Sequence, residues 1–119
     1  SITIPDSVKH IEREAFSGCS SLTSITIPDN VTFIGDYAFF GCSNLKNITI
    51  GNGVESIGVG AFERCFNLRQ ITCLATTPPV MNDSSIKEIT MIYVPEEAVK
   101  AYKKNENWKI YKKQIRPIE

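Results

Sequence analysis

One histidine, His10, stands in the whole chain, and no C-x-x-C or His-x-His spacing accompanies it. Metal sites for zinc draw on clustered Cys and His, so this shortage leaves no ligand set to assemble, and no metal or cofactor is expected. Equally missing is any run of about 18 consecutive apolar residues, the least that a membrane-crossing helix needs, so no membrane insertion of these residues is expected. Thirteen basic residues balance thirteen acidic ones. That balance removes a global electrostatic pull toward nucleic acid, and no nucleic-acid partner is expected.

The arrangements that catalysis uses are also lacking: a nucleophile beside a base, paired carboxylates, or a loop that cradles phosphate. Gly51-Asn52-Gly53 is rich in glycine, but no long helix follows it, so it reads as a turn. His10, between Lys9 and Ile11, reads as a solvated side chain. The chain is expected not to be an enzyme. Asn30-Val31-Thr32, Asn47-Ile48-Thr49 and Asn82-Asp83-Ser84 match the glycosylation triplet, a pattern common by chance.

What the sequence does contain is itself, three times over. Shifted by 23 residues, it brings Ile2, Ile25, Ile48 and Ile71 into one column and Ile4, Ile27, Ile50 and Cys73 into another. Val8, Val31 and Val54 follow, then Ile11, Ile34 and Ile57, the pairs Ala15-Phe16, Ala38-Phe39 and Ala61-Phe62, then Cys19, Cys42 and Cys65, and Leu22, Leu45 and Leu68. A fixed period in the range of about 20 to 50 residues signals a solenoid, whose turns bury their apolar faces by stacking. With 42% hydrophobic residues the chain can fill such a core.

Within one turn, Leu22-x-x-Ile25-x-Ile27 predicts a strand with Ile25 and Ile27 inward and Thr26 outward. Pro28-Asp29 ends it, by withdrawing a donor and offering a turn residue. Residues 35–41 are too short for a long helix and predict a single helical or 3₁₀ turn, with Ala38 and Phe39 inward and Gly41 closing it. Phe16, Phe39 and Phe62 then form a stacked spine.

The composite pattern I-T-I-P-x-x-V-x-x-I-G-x-x-A-F-x-x-C-x-x-L resembles the BspA-like leucine-rich repeats of bacterial and protist surface proteins, over residues 1 to about 74. Local departures are Arg64 in the column of Gly18 and Gly41, Gly51-Asn52-Gly53 in place of Pro-Asp-Asn, and Cys73 in place of isoleucine. The fold so implied is an α/β-type, right-handed leucine-rich repeat solenoid with a parallel sheet on one face and short helical or 3₁₀ turns opposite. Residues 1–74 are its repeats.

After Leu74 the period fails. Ile89-x-x-Ile92-x-Val94-Pro95 matches Leu22-x-x-Ile25-x-Ile27-Pro28 position for position, so residues 75–95 predict an irregular last turn with a fifth strand, its wall rebuilt from residues 79–86. Residues 96–104 read as a short helix, with proline at its start, acids first and lysines last. Trp108, Tyr111 and Ile115 continue its apolar spacing as far as Pro117. Residues 96–119 are thus a helical C-terminal cap, which a solenoid end requires. At the other end, Ile2 and Ile4 predict a strand with an uncovered edge, which points to further repeats or a leader before Ser1.

Cys19, Cys42 and Cys65 share one column, so they stack like rungs about 4.8 Å apart with parallel Cβ directions. A disulfide needs Cβ atoms near 3.8 Å on converging vectors, so these are expected to be free, buried and inert thiols. Cys73 belongs to an inward column as well.

The candidate ligand-binding surface is the outward strand face. Thr3, Thr26, Thr49 and Thr72 form a ladder continued by Tyr93; Ser24, Asn47 and Gln70 lie beside it, with Lys46 and Arg69 at the margin. Threonine is also a good solvent-facing strand residue that pairs across strands with no ligand at all. The resemblance implies a non-enzymatic adhesion module at the cell surface, extracellular, contacting a host or matrix protein or a glycan through this face; the alternative is a structural spacer. A second surface is the cap, where seven basic residues outnumber four acidic ones.

Overall fold

The computed structural model describes residues 2–83 and 85–119. Ser1 and Ser84, the latter closing the third glycosylation triplet, lie outside the described residues. The strands in chain order are β1 (His10–Ile11), β2 (Ser24–Ile27), β3 (Phe33–Ile34), β4 (Asn47–Ile50), β5 (Ser56–Ile57), β6 (Gln70–Cys73), β7 (Val80–Met81), β8 (Met91–Val94) and β9 (Ile115–Pro117).

They make two parallel sheets. One runs β2-β4-β6-β8-β9 and the other β1-β3-β5-β7. The register follows the 23-residue columns: Ile25 faces Ile48, Ile48 faces Ile71, Thr26 faces Thr49 and Thr49 faces Thr72. Alternation of β-branched and polar residues makes this register compulsory, since a slip of one residue would turn Ile25, Ile27, Ile48 and Ile50 out to water. All four are buried.

The third wall differs from the helix or 3₁₀ turn expected at residues 35–41. Among the described residues it holds no helix; it is a run of turns. Tyr37, Phe39 and Gly41 donate their backbone N–H groups to Val59, Ala61 and Glu63 of the next turn, at 2.8, 3.0 and 2.9 Å. Every second donor is thus spent between turns, while Ala38, Phe40 and Cys42 donate three residues back to the Gly35, Tyr37 and Phe39 carbonyls at 3.2, 3.1 and 3.2 Å, so single 3₁₀-type bonds form without running on into a helix. Two left-handed residues per turn also interrupt helical geometry, at Glu14, Tyr37 and Gly60 (φ 59°, 56° and 63°) and at Gly18, Gly41 and Arg64 (φ 73°, 71° and 64°). Arg64 therefore stands in a conformation that glycine adopts freely and other L-residues enter at a cost of roughly 1–2 kcal/mol.

Phe16, Phe39 and Phe62 form the expected spine, with rings nearly parallel at centroid distances of 5.3 and 6.0 Å. Turns approach so closely that a Cβ built on Gly35 would sit 2.6 Å from the Arg13 backbone nitrogen. The strand expected at residues 2–4 does not form: Ile4 is buried, Ile2 is not, and the sheet begins at β2.

At the other end β8 lies beside β6 with Ile92 opposite Ile71 and Tyr93 opposite Thr72. The textual match fails at one position. Ile89 points outward, 53% exposed, while Thr90 is buried and donates its hydroxyl to the Leu68 carbonyl at 2.7 Å. The second sheet continues too, with β7 beside β5.

The cap is less helical than its sequence predicts. A 3₁₀ turn (Glu96–Ala98) leads into the six-residue helix α1 (Val99–Lys104), and a second 3₁₀ segment (Lys109–Gln114) breaks at Tyr111. Ile115 lies not on a helical stripe but in β9, which pairs with β8 so that Ile92 faces Ile115. That step is again 23 residues, so the cap ends as a repeat whose wall has been replaced. Buried hydrogen bonds hold the replacement: Tyr102 Oη donates to the Ala75 carbonyl at 2.7 Å and Trp108 Nε1 to the Pro79 carbonyl at 2.9 Å.

Candidate binding face

The outward side chains of β2, β4, β6 and β8 make two columns across the larger sheet, with a third at their margin, and in-register pairing fixes their rungs about 4.8 Å apart. Ser24, Asn47 and Gln70 form the first, ending at Met91; Thr26, Thr49, Thr72 and Tyr93 form the second. The third lies just before the strands, where Lys46 and Arg69 hydrogen-bond in sequence: Arg69 N donates to the Lys46 carbonyl at 3.0 Å, and Met91 N to the Arg69 carbonyl at 2.9 Å. Seven of the ten residues expected at this surface thus share one sheet face, and Lys46 and Arg69 stand at its margin.

Thr3 is the exception, since it has no strand to sit on. It lines a 380 Å³ groove with Ser24 and Thr26 at the uncovered end of the sheet. At the capped end, Gln70, Thr72 and Tyr93 line a second groove of 310 Å³, bounded by Ile118 and Glu119. Ser24, Thr26, Asn47 and Gln70 are exposed; Thr49, Thr72 and Tyr93 are half-buried by their neighbours.

None of these columns contains an acid. Hydroxyls and amides both donate and accept, and the only charges on the β4 and β6 rungs are the cations Lys46 and Arg69. Arg69 commits one donor to the Phe66 carbonyl at 3.2 Å; Lys46 has no ion-pair partner among the described residues. Such columns offer hydrogen bonds to a polar or acidic ligand, while acids, Asp6 and Glu119, line the grooves at the two ends of the face.

Sequence reasoning missed Arg116, which belongs to the same face: β9 places it opposite Tyr93 as the next rung. Its guanidinium turns back onto the Lys113 and Ile115 carbonyls, at 2.6 and 3.1 Å. The 23-residue step from Ile92 to Ile115 was the signal that could have found it.

The other chemistry-bearing residues lie elsewhere. Cys19, Cys42, Cys65 and Cys73 are free thiols. Cys42 and Cys65 donate to the Phe16 and Phe39 carbonyls, each at 3.1 Å; Cys19, on the first turn, is half-buried rather than buried. The neighbouring Cys42 thiol, together with burial, holds the Cys65 thiol above its ordinary value. Burial does the same to Cys73 and to the Tyr102 hydroxyl, whose oxygen lies 3.3 Å from the Cys73 sulfur. Protonated buried thiols are poor nucleophiles. His10 is exposed, 3.9 Å from Glu12. Among the described residues no cluster of His, Cys, Asp or Glu could hold a metal ion.

The sequence signature of the BspA type leucine-rich repeat region, in six copies, matches residues 1–92. The chain belongs to the BspA-type leucine-rich repeat family. Two solved structures are similar to it. The pneumococcal vaccine antigen PcpA is 27% identical with a TM-score of 0.72, the likeness covering 100% of this chain and 30% of that one. A leucine-rich repeat protein from Bacteroides ovatus is 29% identical with a TM-score of 0.55, covering 82% of this chain and 33% of that one. The chain thus spans about a third of the length of either. No curated protein matches it. Family and fold support a protein-interaction or surface module of a kind that is typically non-enzymatic.

Proposed function

We propose that this BspA-type module is a non-enzymatic, cell-surface binding element that recognises a protein or glycan ligand through its strand face. The observation that carries this reading is the composition of the outward columns. Three consecutive rungs, Ser24 and Thr26, Asn47 and Thr49, Gln70 and Thr72, present hydroxyls and amides in strict register with no acid among them. Rigid spacing lowers the ordering cost of binding, because the donors are already arranged when the ligand arrives. The stack beneath them is closed on the inside by Ile, Val and Phe, so nothing in the core competes with this surface for a ligand.

The vaccine antigen among the similar structures supports a bacterial, extracellular setting, with adhesion to a host or matrix component as the role. A protein ligand fits better than a glycan, since sugar recognition leans on exposed aromatic platforms and Tyr93 is the face's lone aromatic residue.

The test is the double variant Thr26→Lys with Thr49→Lys, which puts two long cations into the central column without touching the core. Pull-downs from extracellular matrix and a glycan array supply the ligand. Loss of capture with an unchanged thermal melt is the expected result. Undiminished capture by the folded variant would sink the strand-face reading, and an absence of any captured ligand would leave a spacer as the function.

A further inference from the structure

The last turn carries a second concave surface, away from the threonine ladder. It is a groove of 540 Å³ between the beginning of β8 and the 3₁₀ segment Lys109–Gln114. Two apolar side chains are among those that line it. Met91 is half-buried, and Ile110 is 73% exposed, the most exposed large apolar residue of the chain among those described. Three cations, Lys109, Lys112 and Lys113, stand around them against a single acid, Glu88.

The groove is built and held. Gln114, at the end of the 3₁₀ segment, is buried and donates from Nε2 to the carbonyls of Lys87 and Thr90, at 2.8 and 2.9 Å, so the two walls are tied together. Trp108, immediately before the segment, is fully buried. The charge is uncommitted as well. Lys109 reaches Glu106 at 3.3 Å, but Lys112 and Lys113 make no ion pair among the described residues. The residues before the cap carry the opposite balance, six basic against nine acidic, so this excess is local to the last turn.

We propose that this groove receives an acidic peptide segment of a partner protein, one that carries an apolar side chain between its carboxylates. The exposed apolar surface of Ile110 needs an apolar group to cover it, which a purely anionic polysaccharide does not bring. The concave shape suits a narrow chain; a bilayer is flat and would meet Ile110 without entering the groove. Lys112 and Lys113 then meet carboxylates on the rim while Ile110 and Met91 take the side chain. Charge supplies steering and salt sensitivity, and the apolar lining supplies the selectivity for an apolar residue. Met91 also ends the Ser24, Asn47, Gln70 column, so the groove adjoins the strand face without depending on it.

The experiment is fluorescence anisotropy with a labelled synthetic peptide of Asp and Glu interrupted by Leu. Controls are the same peptide with Ser for Leu, one with Lys for its acids, and phosphatidylglycerol vesicles. Saturable binding of the Leu peptide is expected. It should weaken about tenfold in the Lys112→Glu, Lys113→Glu double variant and on raising salt from about 0.05 to 0.5 M. Ile110→Ser should weaken it by a similar factor and Ile110→Leu should restore it, while Thr26→Lys with Thr49→Lys leaves it unchanged, which separates this groove from the strand face. All three positions are exposed, so a far-ultraviolet spectrum and melt matching wild type confirm folding. Equal binding of the Ser peptide, indifference to Ile110→Ser, or binding to vesicles but not to the peptide would each overturn the proposal.

Discussion

The repeats and the cap cover the same kind of apolar face in opposite ways. In the repeats one turn covers the next with a copy of itself, so one solution serves twice: Phe on Phe, Ile on Ile, and backbone N–H to backbone carbonyl on all three walls. In the cap no copy follows. Trp108, Tyr102 and Gln114, each used once, reach back to carbonyls of residues 75, 79, 87 and 90. Repetition distributes stability over many equal contacts, whereas a cap concentrates it in a few large side chains. Damage to the two regions should therefore differ in kind.

The largest effect is expected from Trp108→Ala, which empties a fully buried site and orphans the Pro79 carbonyl. A loss of about 3–5 kcal/mol, read from urea unfolding, is the expected outcome; a loss under about 1 kcal/mol would mean that the cap is not the stack's closure. Next comes Gly35→Ala, the corresponding injury to the repeats. Its new methyl meets backbone rather than a side chain able to move, and about 1–3 kcal/mol should be lost. If the regions differ as argued, the repeat lesion should broaden the unfolding transition less than the cap lesion does.

Smaller again is Tyr102→Phe, which keeps the ring against Trp108, at a centroid distance of 5.0 Å, and removes the hydroxyl's bond to the Ala75 carbonyl with its longer contact to the Cys73 sulfur. About 1 kcal/mol is expected, and a melt indistinguishable from wild type would show that this seam is held by packing alone. The smallest effect is alkaline. Burial raises the Cys73 thiol and the Tyr102 hydroxyl in the folded state. The unfolded chain therefore releases these protons first, and the folded chain binds more protons above the ordinary values of about 8.5 and 10. The stability contributed by the seam is intact below those values and is lost progressively as pH rises beyond them toward the raised folded-state values. Urea midpoints between about pH 7 and 10.5 should fall, and a flat profile would refute the assignment.

Much of the repeat region could be read directly from sequence, because a column of Ile or Phe at constant spacing states both burial and register. The candidate face was legible for the same reason, since whatever lies between two inward residues must point outward. The third wall was not legible: Gly35 and Gly41 bracket helix-compatible text, and only the bonds between turns and the left-handed residues Tyr37 and Gly41 decide against a helix. At the last turn, Ile89 matched a buried column yet lies outside, because Thr90 can bond to the Leu68 carbonyl and an isoleucine cannot. Arg116 was hidden by Pro117, which reads as the end of a helix and is instead the end of a strand.

That proline has a consequence for the molecule in a crowd. The strand β9 is the outermost member of its sheet, and an unguarded outer strand invites a second molecule to add on and a fibre to grow. Pro117 has no N–H to offer such a newcomer, and Arg116 beside it supplies charge. A surface built to repeat the same text is a natural template for polymerisation, and two residues at its margin make this end a poor seed.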